Sequence, residues 1–406
     1  MNKLLLYICI ITTLAIVSSC KKAPPPPPKK IHYILVKPLL QTPIIVAYFH
    51  PGNRTVNAEN IDISKIDFLN YAFAVPKNDK LKFAKKNDVE NLKKLVELKK
   101  SNPKLHLLIS VGGWGTETDF SVLAMTPYSR KTFIESMIKF IRLFKIDGID
   151  LDWEYPGLSK NNVANDKQNF TLLIKEIKQA LYIASKQDKK YYYLTIAAGA
   201  FSSYIANTEI NEVSKYIDYI FLMTYDYAGQ WNKHTAHHTN LYQSDNPWSM
   251  YSASKSVDLY INAGVPVTKL VLGSGFYGRQ WKQVERKKNG LYQKAKGIGS
   301  IPYRKIKQIT DNNPNYKRYW DSVAKAAYYW NQDSAMFISY EDTASLREKA
   351  NFIKQKNLAG IMYWEYYSDA DNFLLNYLVK YTTDSLTKTS NNKSSLLIKT
   401  VHETTK

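Results

Sequence analysis

Cysteine is nearly absent from this 406-residue chain. It has two, Cys9 and Cys20, too few for a disulfide framework. Arginine is scarce as well. Of the 56 basic residues eight are arginines (Arg54, Arg130, Arg142, Arg279, Arg286, Arg304, Arg318 and Arg347), which leaves 48 lysines spread along the chain. Against 35 acidic residues the formal net charge is +21, a balance that points first to nucleic acid or another anionic surface. Phosphate and base edges are read best by planar guanidinium groups on a dense basic stripe, and neither is present, so the expectation is no nucleic acid and a solvated lysine surface. The 45% hydrophobic and 22% charged content is that of a globular chain with a sizeable core. No GxGxxG follows the first strand candidate, which removes support for dinucleotide binding. What the chain has in excess is aromatic side chains, with 31 Tyr, 15 Phe and 8 Trp.

The two ends differ from the body. Lys3 followed by the apolar run Leu4 to Val17 reads as an export signal, too short to span a membrane comfortably. It ends in Val17-Ser18-Ser19-Cys20, which resembles a bacterial lipobox, with residues 1–19 removed and Cys20 lipidated. Residues 20–42 then form a tether. Pro24 to Pro28 lie between lysine pairs and favour a stiff polyproline spacer of about 3 Å per residue. The expected location is therefore the bacterial cell envelope, lipid-anchored. Residues 381–406 are polar and read as a loose tail.

Between those ends strands and helices alternate. Strand candidates are Ile44–Phe49, Ile66–Ala74, Leu105–Val111, Ile146–Trp153, Tyr191–Ala198, Ile217–Tyr225, Lys269–Tyr277 and Leu358–Trp364. Helical patterns fall at Asp88–Lys100, Ser129–Phe144, Asp166–Lys186, Ser252–Ala263 and Ala344–Lys356. Such alternation implies right-handed βαβ units. Eight strands in residues 43–380 fit an α/β fold, a (β/α)8 TIM barrel; an open doubly wound sheet is the alternative. The gap between the seventh and eighth strands is too long for one helix. It is read as an α+β insertion, at about residues 280–340.

Asp147-Gly148-Ile149-Asp150-Leu151-Asp152-Trp153-Glu154 carries four acids in eight residues. In a strand Asp150, Asp152 and Glu154 share one face, and Ile149, Leu151 and Trp153 the other. In a barrel the acidic set points inward at the upper end, where barrel enzymes keep their chemistry. Carboxylates stacked in a poorly solvated place repel one another, so at least one keeps its proton near neutral pH, as a general acid requires. A calcium loop is rejected: its sixth and twelfth positions would be Tyr155 and Asn161, not Gly and Glu.

This run resembles the DxxDxDxE signature of glycoside hydrolase family 18, the chitinase family, complete at Asp147, Asp150, Asp152 and Glu154. Ser110-Val111-Gly112-Gly113, Met223-Thr224-Tyr225-Asp226, Phe276-Tyr277-Gly278-Arg279 and Gly360-Ile361-Met362-Tyr363-Trp364-Glu365 resemble further family motifs in order. The resemblance implies a TIM barrel with an insertion domain and a substrate-assisted retaining mechanism. Glu154 would act as general acid and base, Asp152 would support the substrate's acetamido group, and Asp150 would balance protons behind it. Tyr225 and Asp226 would hold the acetamido group, and Trp364 would form the floor under the reacting sugar. Tyr277, Arg279, Met223, Trp114, Gly113, Trp231, Tyr155 and Phe73 are the further candidate substrate contacts. Gly112 and Gly113 also read as a tight strand exit.

His234, His237 and His238 form an H-x-x-H-H group, but neither HExxH spacing nor a third ligand type is evident, so no metal and no cofactor are expected. The segment Trp231 to Tyr242 also resembles a family loop, with Ala236 and Asn240 in place of Gly and Pro. The expected partner is chitin or another N-acetylglucosamine-containing glycan, cut by a monomer. The alternatives are an endo-β-N-acetylglucosaminidase acting on N-glycans or wall glycan, and a non-catalytic chitin-binding protein on the same barrel.

Overall fold

The structure is a computed structural model that describes residue 40 and residues 43–57, 61–158, 165–369 and 371–383. The lipobox with Cys20, the proline run and the tail beyond residue 383 lie outside the described residues.

The chain begins with β1 (Ile44–Phe49), the hairpin β2 (Phe68–Lys77) and β3 (Lys80–Phe83), and α1 (Asp88–Lys99). Next come β4 (His106–Gly112), α2 (Glu117–Met125), α3 (Pro127–Phe144), β5 (Gly148–Asp152) and α4 (Asp166–Asp188). After β6 (Tyr193–Ala198) follow the short α5 (Ser202–Ala206) and α6 (Ile210–Ser214), then β7 (Tyr219–Leu222), α7 (Ala253–Asn262) and β8 (Leu270–Gly275). An inserted segment holds β9 (Tyr277–Lys282), β10 (Lys296–Pro302), α8 (Tyr303–Asn312), β11 (Lys317–Asp321), β12 (Ala326–Asn331) and β13 (Met336–Tyr340). The chain returns through α9 (Thr343–Lys356) to β14 (Gly360–Trp364) and ends on α10 (Phe373–Thr383).

The strands β1, β2, β4, β5, β6, β7, β8 and β14 pair in parallel, and β1 pairs with both β14 and β2, which closes the barrel. Strand alternation divides the apolar residues into two layers. Ile44, Val46 and Tyr48 of β1 join Phe68, Leu108, Tyr193, Phe221, Val271 and Met362 inside the barrel. Ile45, Ala47 and Phe49 join the larger layer between strands and helices. β5 follows the same rule: Trp153 packs outward on Phe120 of α2 and Phe170 of α4, at centroid distances of 5.4 and 5.7 Å.

Helix starts are set by side chains that satisfy free N–H groups. Thr126 accepts the Ser129 N–H at 3.1 Å and Pro127 occupies the first turn, so α3 begins two residues before the apolar pattern does. Asp342 caps α9 by accepting from Ala344 and Ser345. The last helix carries Tyr381 and the buried Thr382, so the chain stays ordered past residue 381, where the sequence reads as the start of a tail.

The inserted segment forms a five-stranded antiparallel sheet in the order β10-β9-β13-β12-β11, with α8 beside it and an apolar cluster around Trp281, Tyr328, Trp330 and Phe337. Its first strand starts two residues after β8 ends, which places Tyr277 and Arg279 at the barrel mouth.

Candidate active site

The four acids of the Asp147–Glu154 run have different environments. Asp147 sits at the lower end of β5, where it pairs with Lys99, with Lys190 at 2.9 Å, and with the Leu107 N–H at 2.7 Å. Burial alone would raise its carboxyl. The two ammonium groups and the hydrogen bonds outweigh burial and hold it below the usual range. Asp147 therefore fastens the barrel floor and takes no part in the cleft.

Asp150 is completely buried and accepts three hydroxyl hydrogen bonds, from Tyr48 at 2.8 Å, Ser110 at 2.8 Å and Thr195 at 2.6 Å. Burial raises its carboxyl and the hydroxyls pull against that rise. Asp152 is 3% exposed, and its Oδ1 has no hydrogen-bond partner. Burial, then the charges of Glu154 and Asp150, push its carboxyl well above the usual range. Among the described residues no Lys or Arg pairs with either Asp150 or Asp152. Glu154 follows at the end of the strand, half-buried on the cleft wall beside Tyr155.

The seventh strand ends earlier than the sequence pattern suggests. Thr224 turns its Oγ1 into the ladder, donating to Gly273 O at 2.7 Å and accepting from Gly273 N at 2.8 Å. Met223, Tyr225 and Asp226 are thereby released towards the cleft, with Asp226 at a φ of 59°. Asp226 is clamped from the insertion. Tyr277 donates its hydroxyl to Oδ1 at 2.6 Å, while Arg279 reaches Oδ1 through Nε at 2.7 Å and Oδ2 through Nη2 at 2.6 Å. Arg279 also bonds Gln230 Oε1 at 2.9 Å and lies 5.0 Å from the Trp231 ring centroid. Tyr277 and Arg279 thus line the cleft mainly as the holders of Asp226. Burial and the charges of Asp152 and Glu154 push the Tyr225 hydroxyl up, so it stays neutral and able to donate.

The cleft measures about 920 Å³. Trp364 lines it, stacked on Phe73 at 5.7 Å and on His50 at 5.6 Å. Trp114 and Trp231 stand on the rim, 81% and 56% exposed. Gly113 is not on the wall. It lies behind Phe73, where a Cβ would come within 2.9 Å of that ring, while a Cβ on Gly112 would collide with the Asp152 carbonyl. Both positions need glycine for this close approach.

The structure also places Tyr48, His50, Arg54, Gln230 and Arg304 on the wall, none of which stands in a motif, together with Glu365, the last residue of the Gly360–Glu365 motif. Tyr48 was within reach of the sequence, since it continues the inward alternation of Ile44 and Val46. The histidine group separates. His234 stacks on Trp248 at 3.8 Å, His237 meets Asp321 at 3.2 Å, and buried His238 bonds Tyr277 O at 3.0 Å. Among the described residues no group of three His, Cys, Asp or Glu side chains is placed to hold a metal ion.

Comparison with known proteins agrees with this geometry. The family model described as glycosyl hydrolases family 18 matches residues 44–369. The chain is similar to Chitinase A1 of Niallia circulans, 39% identical over 307 residues, which covers 71% of this chain and 44% of that protein. It is similar to Chitinase B of Serratia marcescens, 28% identical over 414 residues, with 81% of each covered. Among solved structures it resembles a glycoside hydrolase family 18 N-acetylglucosaminidase from Paenibacillus barengoltzii, at 38% identity and a TM-score of 0.77, covering 83% of this chain and 99% of that one. It also resembles Chitinase ChiA74 from Bacillus thuringiensis, at 32% identity and a TM-score of 0.80, covering 85% and 70%. With its closed parallel barrel, its acidic strand and a family match over most of its length, the chain belongs to glycosyl hydrolase family 18.

Proposed function

We propose that this chain is a chitinase, hydrolysing β-1,4 linkages between N-acetylglucosamine units of chitin or chitooligosaccharides with retention of anomeric configuration. The observation that carries the reading is the pair Asp150 and Asp152, buried without a cation beneath Glu154 and facing the Tyr225–Asp226 clamp across one cleft. Glu154 donates its proton to the glycosidic oxygen as that bond breaks. The substrate's acetamido oxygen forms the new bond to the anomeric carbon, closing an oxazolinium ring. The unpartnered Asp152 Oδ1 accepts the acetamido N–H and balances the ring's positive charge. Tyr225 and Asp226 hold the acetamido group in line. Water then opens the ring and gives its proton back to Glu154, which restores the starting state. Trp364 supplies an aromatic face for the apolar face of the sugar.

Mass analysis of products from chitohexaose, alongside a high-mannose glycoprotein, tests the reading. Shorter chitooligosaccharides, a first-formed β-anomer by proton NMR and loss of both in Glu154→Gln are expected. Release of glycan from the glycoprotein with chitohexaose left intact would replace it with an endo-β-N-acetylglucosaminidase. Binding without turnover of any substrate would leave a carbohydrate-binding protein.

We propose in addition that Cys20 carries the lipid of an envelope lipoprotein, supported by the Val17–Cys20 pattern and the proline tether. Labelled palmitate should enter the protein in its native host and be lost in Cys20→Ala; equal labelling of both removes the proposal.

A further inference from the structure

Arginine is rare in this chain, and its placement is selective. Arg130, Arg142 and Arg318 pair with Glu176, Asp188 and Asp342, and Arg286 donates to the carbonyls of Gln332 and Asp333. Three of the eight arginines line the cleft: Arg54, Arg279 and Arg304. Arg279 is committed to Asp226. The other two have no carboxylate within ion-pairing distance among the described residues.

Arg54 follows β1 and is held in place. Its carbonyl accepts the Asn87 and Asn91 side-chain amides at 2.7 and 2.9 Å, and its Nε donates to Pro51 O at 3.0 Å. Its guanidinium lies 4.6 Å from the Tyr367 ring centroid, and neither Nη group has an acceptor among the described residues. Arg304 comes from the insertion, in the first turn of α8. The neighbouring Tyr303 fixes its backbone by stacking on Tyr340 and Phe373 at 6.4 and 6.1 Å. The same cleft wall carries Glu365, whose Oε1 accepts from Ser368 at 2.8 Å and whose Oε2 accepts from Tyr367 N at 3.0 Å. Burial raises the Glu365 carboxyl, and Arg54 and Arg304 both pull it down, so both guanidinium fields reach this point. Arg54 and Arg304 thus stand on the same cleft wall as Glu365, which is already hydrogen-bonded, and neither guanidinium has an ion-pair partner of its own among the described residues.

Neutral chitin offers nothing to neutralise that charge, whereas a guanidinium fork matches a carboxylate in both shape and charge. In the barrel order Arg54 and Glu365 follow β1 and β14, across from β5 and β6, and Arg304 reaches the cleft from the insertion. We propose that this side of the cleft is an anion subsite, in which Arg54 and Arg304 select 2-acetamido glycans bearing a carboxylate on the sugar bound there. This rests on the reading that the cleft takes 2-acetamido glycans and adds a specificity within it.

The test uses the full-length Glu154→Gln protein, which is expected to bind without turnover. Calorimetry compares a tetrasaccharide of alternating N-acetylglucosamine and N-acetylmuramic acid with its methyl ester, at low salt. Two charge-assisted hydrogen bonds predict that the acid binds about tenfold more tightly or better, and that added salt shrinks the ratio. Adding Arg54→Gln and Arg304→Gln, which remove the charge and leave an uncharged polar side chain, should bring the ratio near one, with thermal unfolding confirming the fold. Equal affinity for acid and ester overturns the proposal, as does a ratio that survives the double substitution. Chitohexaose cleavage by the wild-type protein is scored separately, so that the anion subsite and the chitinase reading fail independently.

Discussion

Asp147 immediately precedes the five-residue strand β5 and Asp152 ends it, and the two are solvated in opposite ways. Asp147 has two lysines and a backbone N–H, and its carboxyl is held low. Asp152 has burial and two neighbouring acids, and its carboxyl is held high. The base of the insertion repeats the first solution. Glu341 and Lys349 are both fully buried and paired, with Ser274 donating to the same Glu341 oxygen at 2.6 Å. The fold therefore has cations to spare for the acids it uses as fasteners. Leaving Asp150 and Asp152 without them shifts both carboxyls towards their protonated forms.

The strongest challenge to this contrast is Glu154→Gln. It should lower kcat by roughly 10²–10⁴-fold, the range of a positioned general acid, while chitotetraose binding measured by calorimetry persists. On the fastener side, Lys349→Ala strands a buried carboxylate. It should cost about 3–5 kcal/mol in urea unfolding, much of it regained in Glu341→Gln/Lys349→Met. Arg279→Met removes the fork that holds Asp226, and kcat/KM on chitohexaose should fall about tenfold or more, with partial recovery in Arg279→Lys.

The smallest effect has the opposite sign. Because the Asp152 carboxyl is raised in the folded state, the unfolded chain releases this proton first as pH rises. Folding therefore loses stability from about pH 4, the ordinary carboxyl value, upward to the raised one. Asp152→Asn should thus unfold at higher urea than wild type at pH 7, by about 1 kcal/mol. That gain should vanish towards pH 4, even as the variant loses activity. A variant less stable at pH 7 would place Asp152 with the fasteners.

Much of the barrel was legible because its strands alternate inward and outward residues and because helices such as α4 carry one apolar face. The helix α2 escaped notice: Phe120 and Leu123 are buried while Val122 and Met125 are exposed, so its apolar positions surround the helix and show no period. β7 was read too long because Met223 to Tyr225 continue its apolar composition, and only the Thr224 bond to Gly273 ends the ladder. In the site, the acids and the Tyr225–Asp226 clamp were readable from order and spacing. Arg54 and Arg304 were not, since neither stands in a motif and only the insertion's fold brings Arg304 to the mouth of a barrel whose first strand precedes Arg54. The same closure turned Gly113 from a candidate contact into the support behind Phe73.

The pH dependence of kcat/KM for chitohexaose, measured for wild type and Asp152→Asn, tests directly whether the acids left without cations store the working proton. The wild-type alkaline limb should lie well above the ordinary carboxyl range. Removing one of the two interacting carboxyls should move it to lower pH and reduce the plateau. An alkaline limb at the same pH in both proteins would contradict a shared proton on this strand.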